Sequence, residues 1–383
     1  MIGGTTETFL IAETGALYAC GNSSTLTRVP LTESAKTVAI GSGSMYVVTV
    51  SGALYACGNN YYGQLGLDDS LLRWTLTKVP LEERVKTVVT SDCTTYVLTV
   101  SGKLYSCGNN YYGQLGLGDS RNRSAFTRVP LDESIRAVVI NVSIIFVITS
   151  GGTLYTCGFN YYGQLGLGDK RSRSTLQRVS LSESVKTVFV SGSHAFVLTV
   201  NGALYACGSN GYGKLGLGDS QELLTLQRVP LEESVKTVSI SGSYAFVLTR
   251  SGALYACGDN RYGQLGLGDS SDRSTLTRVP FVENVKTVET SNNSAYVLTV
   301  NGEVYACGNN ASGQLGFGDS ENRSTLLRVP VEERMKIVFA GYFSSFIVTV
   351  NDTFYTCGSN EYAVLGLDHR EDKTVFTPLP PLG

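Results

Sequence analysis

Eight near-copies of one five-residue phrase run along this chain, and the last seven recur every 50 residues. One copy is Leu204-Tyr205-Ala206-Cys207-Gly208; the others occupy residues 17–21, 54–58, 104–108, 154–158, 254–258, 304–308 and 354–358. A fixed period of this length restricts a chain to a propeller or a solenoid. In both, every unit covers its apolar faces with its neighbours, so what all copies share is architecture first. Specific chemistry is expected where the copies differ.

The unit beginning at Val185 shows the design. Residues 185–190 form a β-branched run, strand A. Residues 196–200 form strand B, apolar on both faces, and Asn201-Gly202 is a hairpin signal because both residues tolerate positive φ. Residues 203–207 form strand C. A long Gly-rich loop leads to strand D at 226–229, which Pro230 stops. Four antiparallel strands with apolar inner strands describe a blade sandwiched between like blades. No 3.6-residue periodicity supports a helical solenoid.

The totals narrow function. The 383 residues are 42% hydrophobic with 43 glycines, enough for a large core with many turns. The net charge of −2 leaves no basic surface for nucleic acid or anionic membrane. Eight of the nine cysteines are one strand position repeated, so they point alike a blade apart and cannot reach disulfide geometry. They read as small buried hydrophobes, and Cys93 alone stands in a variable loop. Met1 to Thr6 shows no basic region or apolar run, and no segment is long and apolar enough for a membrane span. The expectation is an intracellular protein, cytoplasmic or nuclear, with sequons such as Asn122-Arg123-Ser124 unused.

Residues 107–119, from Cys107-Gly108-Asn109-Asn110 through Gly113-Gln114-Leu115-Gly116 to Gly118-Asp119, resemble the repeat of the regulator of chromosome condensation family. Gly192-Ser193-His194-Ala195-Phe196-Val197-Leu198-Thr199 is similar to that family's second motif. The likeness covers essentially the whole chain. It departs in carrying Cys where the family often has Trp, and in keeping the family's His only at His194. The resemblance implies an all-β, seven-bladed propeller, and seven A-to-D sets start near Lys36, Lys86, Arg136, Lys186, Lys236, Lys286 and Lys336. Residues 1–383 are expected to be one domain, with residues 1–29 as a partial repeat at the ring seam. That partial repeat is a B–C hairpin over 9–20 leading to Thr25-Leu26-Thr27-Arg28. An eight-bladed ring with an incomplete first blade is the alternative.

Enzymatic machinery is not evident. His194 and His369 have no metal-ligand spacing, and no Ser, Cys or Thr sits in a nucleophile motif. The Gly-rich loop lacks the helix and the Lys of a phosphate site, so it reads as tight turning around a buried Leu. Asp119 to Arg123, repeated at 169–173, 269–273 and 319–323, reads as a loop-closing ion pair. The expectation is no catalytic residue, no cofactor and no metal. Among activities the resemblance implies, UV-B photoreception needs tryptophan clusters, and Trp74 is alone. Ubiquitin ligases need a ligase domain for which there is no room. Exchange on the GTPase Ran uses a wedge insertion, and the 50-residue spacing shows none.

What remains is a non-enzymatic interaction propeller. Loops A–B and C–D emerge on one face, and they carry nearly all the differences between copies. Two patches are expected there: Leu71, Leu72 and Trp74, and a second formed by Ile144, Ile145, His194, Leu223, Leu224 and Tyr244. The partner is expected to be a protein, a small GTPase or a larger assembly, and neither nucleic acid nor membrane. The rival function is guanine-nucleotide exchange on a Ran-like GTPase.

Overall fold

The computed structural model describes residues 2–3, 8–12, 14–20, 27–361, 363–367 and 369–379. Strands dominate, and one three-residue 3-10 turn at Gly211–Gly213 is the only helix among the described residues. Eight four-stranded sheets follow one another, each built from four consecutive strands in sequence order. Seven are complete blades, matching the fold expected from the sequence.

In the order A, B, C, D, blade 1 is Ala35–Gly41, Ser44–Thr49, Leu54–Gly58 and Arg73–Lys78. Blade 2 is Val85–Ser91, Thr94–Thr99, Leu104–Gly108 and Arg123–Arg128. Blade 3 is Ile135–Asn141, Ile144–Thr149, Leu154–Gly158 and Arg173–Arg178. Blade 4 is Val185–Ser191, His194–Thr199, Leu204–Gly208 and Leu223–Arg228. Blade 5 is Val235–Ile240, Tyr244–Thr249, Leu254–Gly258 and Arg273–Arg278. Blade 6 is Val285–Thr290, Ser294–Thr299, Val304–Gly308 and Arg323–Arg328. Blade 7 is Met335–Ala340, Ser344–Thr349, Phe354–Gly358 and Lys373–Pro378.

The N-terminal residues form a short sheet of their own, Ile2–Gly3, Thr8–Ile11, Leu17–Cys20 and Thr27–Arg28. It packs on blade 1, where Leu17 and Ile11 join Ala35, Val38 and Val47 in one core. The expected hairpin is therefore two strands of a fuller sheet; Thr25 and Leu26 lie outside the described residues.

The chain divides into two compact units. The first contains the described residues up to Gly192 with Leu224–Leu226; the second contains Ser193–Leu223 and those from Gln227 on. In both, the core lies between neighbouring blades. Tyr46, Val48 and Leu54 of blade 1 meet Val85, Val88 and Val97 of blade 2 in the first unit. Tyr244, Phe246 and Leu254 of blade 5 meet Val285, Val288 and Val297 of blade 6 in the second. All six residues of strand B are buried in the first six complete blades, because neighbouring strands flank it within the sheet and neighbouring blades cover both faces.

Two boundaries differ from the sequence reading. The B–C connection in blade 4 spans residues 200–203, closed by the Thr199 amide on the Ala203 carbonyl at 3.0 Å, so Asn201-Gly202 sits inside a wider turn. The A–B connections of blades 1 to 4 are tighter than expected, two residues such as Asp92-Cys93 and Val142-Ser143. Asp92 and Val142 adopt positive φ there, 49° and 46°. Strand B therefore begins two residues early, and Ile144, Ile145, His194 and Tyr244 become its first residues, all buried. The expectation that these four stand in exposed loops is corrected. A side chain entering a sheet covered on both faces has no solvent side to occupy.

Candidate protein-interaction face

The C–D loop is held by its own buried amides. In blade 2, Asn110 Nδ2 donates to the Asp119 carbonyl (2.9 Å), and Asn110 Oδ1 accepts from the Leu115 amide (2.9 Å). Gln114 Oε1 accepts from the Tyr112 amide and Asn109 Oδ1 from the Tyr111 amide, each at 2.9 Å. Buried polar groups are thus satisfied, and Leu115 is fully buried as expected. Asp119 and Arg123 are joined at 2.7 Å, and that hydrogen bond holds the Asp119 carboxyl below its usual range. The same pairing recurs at Asp169–Arg173, Asp269–Arg273 and Asp319–Arg323, each at 2.6 Å, and between Asp69 and Arg73.

The loop also reaches the next blade. Gly118 donates to the Ser174 carbonyl (2.8 Å) and Leu117 bridges Thr175, both on strand D of blade 3. Gly63 must approach this closely, since a Cβ there would lie 2.4 Å from Ser124 Cα. The A–B turn joins the same side: the Asn109 amide donates to the Cys93 carbonyl at 2.9 Å. A Cβ on Gly108 would stand 2.1 Å from that oxygen. Each blade therefore brings its A–B turn and C–D loop together.

This framework turns a repeated aromatic pair outward. In the first unit Tyr61, Tyr111 and Tyr161 are 75%, 73% and 63% exposed. Tyr111 meets Tyr112 edge-to-face at 4.8 Å, Tyr112 meets Phe159 at 4.8 Å, and Phe159 stacks near Tyr161 at 6.4 Å. The rings of blades 2 and 3 thus make one aromatic row, with Arg121 and Arg171 exposed on the same two loops. Sequence reasoning passed over these tyrosines because they recur, and recurrence was assigned to architecture. The available signal was an aromatic pair in a turn whose only buried apolar residue is the following Leu.

The expected patch residues separate. Leu71 and Leu72 are exposed in the C–D loop of blade 1. Trp74 is 88% exposed on the outer strand itself, rather than in the loop. Leu223 and Leu224 open strand D of blade 4, each half-buried. Leu223 stands where five other blades carry the Asp-paired Arg, and the Leu224 carbonyl accepts from Gly168 at 2.8 Å. Ile144, Ile145, His194 and Tyr244 contribute no exposed surface. The Tyr244 hydroxyl is spent on the Ser294 carbonyl at 2.6 Å.

Among the described residues no group of three or more His, Cys, Asp or Glu is arranged to hold a metal, and no helix is long and apolar enough to cross a membrane.

A family model described as an RCC1-like domain matches residues 25–332. The structure of human WBSCR16 is similar with a TM-score of 0.64 and 22% identity, over 83% of this chain and 87% of that one. The structure of Prp20p from Saccharomyces cerevisiae, described with its binding to Gsp1p and histones, matches at 0.64 and 19%, over 87% of each chain. Yeast RCC1 (Prp20) bound to Kap60 matches equally well, at 0.64 and 19% over 87% of this chain and 85% of that one. No curated protein matches the chain in sequence.

Proposed function

The chain belongs to the RCC1-like domain family, and from that premise we propose that it is a non-enzymatic interaction module acting inside the cell. Its protein partner binds the side formed by the A–B turns and C–D loops. The observation that carries this is the set of exposed rings on the C–D loops, Tyr61 in blade 1 and the row Tyr111, Tyr112 and Tyr161 in blades 2 and 3, with Leu71, Leu72 and Trp74 also exposed on blade 1. Exposed aromatic rings of this density are the residue types that anchor protein interfaces. The part-exposed Leu223 and Leu224 are lesser contacts.

The test is affinity capture with the intact chain against Tyr61→Ser/Tyr111→Ser/Tyr161→Ser, scored by mass spectrometry. All three rings are exposed, so folding should be unaffected. Proteins held by the parent and by a Val282→Ser control, but lost from the triple variant, support the reading. An unchanged set of proteins refutes it.

A second reading is nucleotide exchange on a Ran-like GTPase, favoured by the likeness to yeast Prp20p, which is described as binding Gsp1p. Release of fluorescent GDP from such a GTPase separates the two. The interaction reading expects the intrinsic rate, and acceleration by orders of magnitude would establish exchange.

A further inference from the structure

We infer that the hollow between the inner strands of blades 5 and 6 is a binding site for a primary ammonium group on a short alkyl chain. These are strands A at Val235–Ile240 and Val285–Thr290, both in the second unit. Between them lies a cavity of about 280 Å³ lined by the hydroxyl residues Thr237, Ser239 and Thr287, by Ile240, and by Glu289. That volume sits at the lower edge of the roughly 300–1,000 Å³ typical of small-molecule pockets.

Glu289 is the anomaly. Its counterparts on the other inner strands are Ala39, Val89, Val139, Phe189, Ser239 and Phe339, so this is the one charge at that position. No ion pair or side-chain hydrogen bond among the described residues engages its carboxylate, although its neighbours bond each other, Ser239 Oγ to Thr290 Oγ1 at 3.0 Å. Desolvation by the surrounding protein raises its pKa, which is the signature of a carboxylate lacking a cation.

A carboxylate and hydroxyl oxygens that accept are together complementary to an N–H-bearing cation. The carboxylate supplies the opposing charge, and the hydroxyls accept the remaining N–H hydrogen bonds. The ammonium can belong to a free diamine or to a partner's lysine.

The test titrates the full chain with 1,4-diaminobutane, with 1,4-butanediol as the uncharged control, reading the Ser239, Thr287 and Glu289 amides by NMR. A parallel arm compares an acetylated peptide carrying one lysine with its norleucine counterpart. The inference expects saturable shifts with the diamine, the lysine peptide or both, and none with the diol or norleucine peptide. The responding arm identifies the source. Glu289→Gln, an exposed isosteric change, should weaken binding at least about tenfold, the loss of one charged hydrogen-bond partner. Binding should also fall with added salt and as acid neutralises the carboxyl. Equal shifts with the diol, unchanged affinity in Glu289→Gln, or no response to either amine would overturn the inference.

Discussion

At His194 the imidazole is fully buried, and neither ring nitrogen has a hydrogen-bond partner. Burial first, and then the charge of nearby Lys214, depress its pKa from 6.5 to about 3. The folded state therefore binds fewer protons than the unfolded one. The neutral ring is fully compatible with folding above pH 6.5, and stability falls as the pH drops from 6.5 toward 3. Between pH 7 and pH 5 the loss is about 2 kcal/mol. His194→Thr, which places there the residue blade 2 carries at Thr94, should flatten that part of the pH profile in denaturant titrations. An equally steep profile in the variant would show that other groups dominate acid sensitivity. Cysteines form the second residue-scale case. Cys107, Cys157, Cys207, Cys257, Cys307 and Cys357 are buried, and burial lifts Cys207 and Cys257 to about 12. Cys57 and Cys93 are only partly covered, which corrects the expectation for Cys57, and partial burial with Asp92 nearby also raises the Cys93 pKa. Mild alkylation should label Cys57 and Cys93 slowly and leave those six untouched until the protein unfolds; labelling of the six in the native state would contradict the packing. The cysteine positions were legible because alternation along strand C fixes which side faces the next blade. His194 and Tyr244 were not, because a connection of two or three residues cannot be distinguished by pattern from a longer loop. Tyr244→Glu should accordingly unfold the protein rather than blunt an interface.

The C–D loop is the element that joins one blade to the next. Its sequence announced tight turns and one buried Leu, and both are present. Its reach to the following outer strand left no pattern, since the contacts run through backbone amides such as Gly118 to Ser174. Two substitutions separate what holds this loop. Asn110→Ala strips the partners of the Asp119 carbonyl and the Leu115 amide in a buried setting, and should cost about 2–3 kcal/mol in thermal or denaturant unfolding. Arg123→Ala removes a partly exposed ion pair and a hydrogen bond to the Arg121 carbonyl, and should cost less than the asparagine change. If the arginine change proved the more damaging, the ion pairs rather than the buried amides would be closing the loops. Gly66→Ala tests the blade junction itself. With φ at 69°, an added methyl would meet the Phe126 ring at 2.3 Å, so blades 1 and 2 should lose stability together.

At the scale of the molecule, period and blade pattern made the fold legible before any coordinate. The candidate face was legible only in part. Leu71, Leu72 and Trp74 stand exposed as expected, whereas the second expected patch dissolved into strand B. The aromatic row was missed because a repeated residue can serve architecture, function or both. Here the buried Asn and Gln of the C–D loops in blades 1 to 3 serve architecture, and the tyrosines between them are turned outward. The central proposal is that this side carries the partner. It is tested most directly by hydroxyl-radical footprinting of the chain with and without a captured partner. Protection at Tyr61, Tyr111, Tyr161 and Trp74, with Val50 and Val100 on the B–C turns oxidised as before, is the predicted result. Protection at Val50 and Val100 with the aromatic residues unchanged would contradict it.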